Sequence, residues 1–214
     1  DSVQPYFYKN RVDEVEIFLT IGLRDPIPDA EELLEGQEGK KATSEEAGWT
    51  VICNDRVVLY CNRDQLTGWG TAGVPQYHTQ FIMISGIVEF KGPPLKLPTT
   101  TTKRGLNYSS GLYQQVLDRM RDGMRLFVDF TNHWKSREAD AKALVSPAPA
   151  LMYSELKRKA EEELKFNPVY RGIQGEQYKP RLPMPPSDSP DARISYVREK
   201  EKIFELAEEL VPKE

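Results

Sequence analysis

The residues best suited to chemistry lie together in one short stretch, Leu97-Pro98-Thr99-Thr100-Thr101-Thr102-Lys103-Arg104-Gly105. Consecutive threonines, a Lys-Arg pair and a glycine supply hydroxyl donors, positive charge and a backbone that a ligand can approach closely. That combination suits an anion. On local sequence alone the same stretch also reads as a solvated, Thr-rich turn. Lys91 and Lys96 extend the positive charge upstream, so that Lys91, Lys96, Lys103 and Arg104 make a local basic strip. Glu89, set in the apolar run just before, is the one carboxylate expected to be partly buried, and a salt-bridged strand residue is its ordinary reading.

Other constellations of reactive side chains are incomplete. His78 and His133 lie in different elements, with no Cys, His or carboxylate at ligand spacing, so no metal site is expected. Cys53 and Cys61 fall in apolar strand surroundings and read as small buried thiols of a reduced, cytoplasmic protein. Asp129 and His133 share a helix with no nucleophile in view, and neither a nucleophile elbow, a Walker loop nor a dinucleotide fingerprint occurs.

With 214 residues, 39% of them hydrophobic and 29% charged, the chain has room for one large domain, or one domain and an extension. A net charge of −4 gives no global attraction to nucleic acid or anionic lipid. The longest apolar run, residues 81–88, is strand-sized and far short of the roughly 18 residues that cross a bilayer. The first residues lack the basic and apolar regions of a signal peptide. Without an initiating Met the chain reads as a processed product or a fragment of a longer protein.

The elements that must position the threonine stretch are legible around it. Residues 12–23 read as a first strand, stopped by Asp25-Pro26. Residues 30–47 form an acidic insertion, expected to be mobile. Residues 49–61 read as a β-hairpin turning at Asn54-Asp55, since both types tolerate positive φ. Residues 62–80 read as an ordered loop anchored by Trp69 and Tyr77. Residues 81–90 should be a central strand, with Gly86 marking a bulge or a close backbone approach. Ser109 or Ser110 can cap a long helix from 111 to about 142, whose Leu112, Val116, Met120, Met124, Phe127, Thr131 and Trp134 repeat at three- and four-residue steps. A second amphipathic helix covers 152–166, with its basic run 157–159 read as a solvated face. Residues 167–191 are Pro-rich and extended, tied by Tyr170 and Tyr178, and a strand at 192–197 leads to a last helix. The fold class is therefore α+β: a mixed or antiparallel sheet packed by a long helix over 1–145, followed by an extension over 146–214.

The order of these parts carries a resemblance. A strand, then Gly48-Trp49-Thr50-Val51-Ile52-Cys53-Asn54-Asp55-Arg56, then Thr67-Gly68-Trp69-Gly70, an apolar strand, Pro98 to Gly105 and a long helix: together these resemble the second, transducer half of bacterial GHKL-type ATPases. That superfamily groups gyrase, heat-shock chaperone, histidine kinase and mismatch-repair ATP-binding proteins. The match covers residues 12–135. It implies a β-α-β two-layer sandwich like that of a ribosomal-protein domain. It also implies that Lys103, supported by Thr101 and Thr102, reaches the γ-phosphate of ATP bound with Mg by a preceding domain of the same protein. By the same resemblance the parent protein is an ATPase that can dimerise, whereas this chain, lacking the nucleotide-binding motifs, has no cofactor of its own. The alternative is a stand-alone module binding nucleic acid or protein through the basic strip. No membrane partner is expected.

Overall fold

The computed structural model describes residues 3–24, 46–102, 105–135, 137, 140–141, 152–166 and 175–186. Asp1–Met184 form one compact unit and Pro185–Glu214 a second. The strands are β1 (Tyr6–Val12), β2 (Val15–Leu23), β3 (Gly48–Cys53), β4 (Arg56–Asn62), β5 (Ile84–Lys91) and β6 (Glu176–Tyr178), and the helices are α1 (Gly111–His133) and α2 (Tyr153–Phe166). The strands make one mixed sheet in the order β4-β3-β5-β2-β1-β6. The chain is α+β, as its sequence indicates.

β5 is the inner strand on which the sheet turns from antiparallel to parallel pairing, running antiparallel to β2 and parallel to β3. The single strand expected over 12–23 is instead the end of β1, a tight turn and β2, with Val12 paired to Val15. Asp13 makes that turn at φ 52, a left-handed conformation that a short polar side chain tolerates. No Gly or Pro marks the place, which is why the strand reads as continuous.

Alternation along the strands sorts side chains onto two faces. Tyr6, Tyr8, Ile17, Leu19, Ile21, Val88 and Phe90 join the main core with α1, whose Val116, Met120, Met124 and Phe127 are buried as the helical spacing requires. A side chain at Gly123 would meet Ile21 at 2.5 Å, so α1 lies against β2 at its closest possible approach. α1 ends at His133 rather than near 142. Trp134 takes φ −93 and ψ 0, and its indole donates to the Pro183 carbonyl at 3.0 Å. Ser110 stands at the N-cap position but makes no side-chain cap bond, and Ser109 bonds Asn107 instead.

The opposite face carries α2. Phe7, Phe18 and Ala160 form a small separate cluster, with Tyr153 and Tyr178 against it. The helix and the tyrosine assigned from sequence to an extension beyond 145 thus pack on this sheet, and β6 adds a strand to it by pairing with β1. The acidic insertion over 30–47 falls outside the described residues except for Glu46 and Ala47, and so do Tyr170, the 192–197 strand and the last helix.

Gly86 marks a close approach and not a bulge. The Trp49 ring occupies the space beside it, so that a Cβ at position 86 would lie 2.6 Å from the indole. Gly86→Ala should therefore destabilise the protein by about 1–3 kcal/mol through overpacking. Urea denaturation should show a lower midpoint with an unchanged slope, and an unchanged midpoint would show that Trp49 moves aside freely.

Candidate functional site

The hairpin between β3 and β4 aligns the exit of β5. Asn54, at φ 52, donates its backbone N–H to Phe90 O at 2.7 Å. Its side chain bridges Gly92, accepting from Gly92 N at 3.0 Å and donating to Gly92 O at 3.2 Å. The Asn-Asp turn read from sequence thereby holds the segment that leads into the threonine stretch.

That stretch is a loop closed at its base. Thr99 and Leu106 form an isolated antiparallel bridge. Thr100 N donates to Gly105 O at 2.9 Å, and Asn107 N to Pro98 O at 2.9 Å. Gly105 N returns a bond to Thr100 Oγ1 at 3.2 Å, and Thr100 Oγ1 lies 3.3 Å from Thr102 Oγ1. Leu97, Leu106 and Tyr108 anchor the loop in the main core. Tyr108 packs on Tyr113, whose hydroxyl donates to Leu66 O at 2.6 Å. Thr101 and Thr102 are exposed, while Lys103 and Arg104 lie outside the described residues. Thr101 and Thr102 therefore stand on the same closed loop whose sequence carries Lys103. Thr100, which the sequence did not single out, closes it. Its signal was only its place five residues before a glycine.

Removing the Thr100 hydroxyl tests the closure. Thr100→Val should raise amide exchange at Gly105 by about fivefold, the equivalent of roughly 1 kcal/mol of hydrogen bonding, and Thr100→Ser should not. Equal exchange in all three proteins would mean the hydroxyl does not hold the loop.

The two described residues of the basic strip, Lys91 and Lys96, both lie in ion pairs. Lys96 pairs with Glu14, and each holds the other charged: the hydrogen bond pulls the Glu14 carboxyl down and pushes the Lys96 ammonium up. Lys91 lies 3.5 Å from Glu89. Glu89 is buried, as its setting suggests, with 6% of its surface exposed. It accepts the Tyr153 hydroxyl at 3.0 Å and pairs with Lys157 of α2. Lys157 Nζ also sits 4.8 Å above the Tyr153 ring and 5.5 Å above Phe18, favourable positions for a cation. The basic run of α2 is thus not wholly solvated, since one lysine of it turns onto the sheet.

Burial, then the Glu89 charge, raises the Tyr153 hydroxyl above the usual tyrosine range, and burial does the same for Tyr6 and Tyr113. Because folding raises these pKa values, the stability they carry is complete below about pH 10 and is lost as pH rises further. The melting temperature should fall as pH rises past about 10, and the share of the tyrosinate absorbance that belongs to these three buried rings should appear only on unfolding. A folded-state tyrosinate signal that includes these three rings, beyond what exposed tyrosines such as Tyr60 contribute, would contradict this burial.

Cys53 is buried and its thiol is pushed up to about 12, which leaves it inert, whereas Cys61 is half-buried beside Thr50. His78 caps a short 3-10 turn and His133 bonds the Asp129 carbonyl. Among the described residues no three His, Cys, Asp or Glu groups gather as a metal site, and no helix is long and apolar enough to cross a membrane. No protein-family model matches the chain, and no curated protein matches it.

Proposed function

We propose that this chain is the transducer portion of an ATP-binding protein, in which Lys103 senses the γ-phosphate of a nucleotide held by a preceding domain and relays its presence to a dimer or a partner. The observation that carries this reading is the closed loop from Thr100 to Gly105, with Thr101 and Thr102 exposed on it, in the sequence context that resembles GHKL-type transducers. A loop pinned at its base can present a flexible ammonium to a phosphate as a point charge. Exposed hydroxyls beside it fit phosphate oxygens as supporting donors. These groups form half of a phosphate site. In this reading the magnesium and its ligands belong to the preceding domain.

The mechanism follows from the charge. A γ-phosphate draws the lysine across the domain boundary, and hydrolysis removes the contact, so loop position reports nucleotide state. The loop is tied through Tyr108 and Tyr113 to α1 and through Gly92 and Asn54 to the β3–β4 hairpin, and these offer rigid routes for relaying its position.

In a protein carrying this chain behind its nucleotide-binding domain, Lys103→Ala should reduce ATP turnover by roughly 100-fold, the scale of losing one charge-stabilising group. Thr101→Ala with Thr102→Ala should reduce it less. Turnover unchanged by Lys103→Ala would overturn the reading.

A further inference from the structure

The Glu89 cluster borders a cavity that the nucleotide reading does not use. It lies between α2 and the sheet, has a volume of about 130 Å³, and is lined by Phe18, Ala160 and Leu164 on its apolar side and by Glu89, Lys91 and Lys157 on its polar side. We infer that this cavity binds a small, uncharged, single-ring aromatic molecule bearing one hydrogen-bond donor, with a phenol as the type.

Size comes first. The pocket opens to solvent on its charged side, and its volume of about 130 Å³ admits one ring and not two. Phe18, Ala160 and Leu164 are each more than nine-tenths buried and give the ring an apolar wall. The donor requirement comes from Glu89. Its side chain is only 8% exposed, and both short contacts, from Tyr153 and Lys157, fall on Oε2. Oε1 has Lys91 at 3.5 Å, beyond ordinary hydrogen-bond length, and so retains capacity for another donor.

Charge then excludes the ionised alternatives. Three lysines and three glutamates line the cavity and balance one another. A ligand cation would add a positive charge beside Lys91 and Lys157 where the charges already balance, and a ligand anion would bring a further negative charge against a buried carboxylate. A neutral hydroxyl or ring N–H meets Oε1 at no such cost. Because the cavity is made by α2 on one side and the sheet on the other, an occupant would also hold α2 in place.

The test uses the chain as it stands, titrated with phenol, benzene, benzoate and benzylamine at pH 7 while backbone amide shifts are recorded. Phenol should give saturable shifts centred on Phe18, Glu89, Ala160 and Leu164, and should bind roughly tenfold tighter than benzene through the one added hydrogen bond to a charged acceptor. Benzoate and benzylamine should give no saturable shift there. Glu89→Gln should narrow the gap between phenol and benzene, because a neutral amide oxygen is a weaker acceptor than a carboxylate, and Ala160→Met should fill the space and abolish both. If Ala160→Met does not fold, the ligand series on the unaltered protein decides. Absence of saturable phenol shifts, shifts centred elsewhere, or equal binding of the charged rings would overturn the inference.

Discussion

The structure depends on the contact between an indole and a missing side chain. Trp49 fills the space beside Gly86, and this sets β3 against β5 in one parallel register, Trp49 opposite Gly86 and Cys53 opposite Phe90. From that register Asn54 is carried to the end of β5, where its amide finds the Phe90 carbonyl and its side chain grips Gly92. A one-residue slip would turn every β3 side chain to the other face and leave Asn54 without either partner. The threonine loop, starting a few residues later, inherits its position from this sequence of contacts. A packing constraint deep in the main core thus governs where the loop's exposed hydroxyls stand.

Much of this was legible in the residues. The Asn54-Asp55 turn, the strand around Val88, the anchoring of the long loop by Trp69 and Tyr77, and the buried face of α1 all follow from turn chemistry and hydrophobic spacing. What sequence left open depends on partners distant in the chain. At Gly86, bulge and close approach look alike until Trp49 is seen beside it. The turn at Asp13 was hidden because an ordinary polar residue took the left-handed conformation. β6 is three residues of a polar, Pro-flanked segment, and it became a strand only because the β1 edge offered hydrogen bonds and Phe7 offered Tyr178 a ring, centroids 6.1 Å apart. Helix α2 shows its amphipathic stripe in sequence, but nothing local says which sheet face it covers.

The candidate loop shows the same division. Four threonines beside Lys-Arg announce donors and charge. That Thr100 is spent in closing the loop, while Thr101 and Thr102 remain exposed, requires the pairing of Pro98 with Asn107 and of Thr100 with Gly105. Likewise the basic strip looks available for polyanions until Glu14 and Glu89 are found across space from Lys96 and Lys91. Local composition names the chemical groups, and long-range pairing decides which of them remain free for use.

The placement of Glu89 also shapes how the chain folds. The contacts that α2 makes with β1 and β2 span more than a hundred and thirty residues and those with β5 more than sixty, as with Lys9 to Glu161, Phe18 to Tyr153 and Glu89 to Tyr153. Closing such loops is slow, so the sheet with α1 can assemble while the α2 face is still bare. In that interval Phe7 and Phe18 face water on an uncovered sheet, the sort of surface on which chains associate wrongly. A carboxylate in their midst, solvated until Lys157 and Tyr153 arrive, makes that face a poor partner for another copy of itself. The charge that α2 neutralises thus disfavours association through that face whenever α2 is not on it.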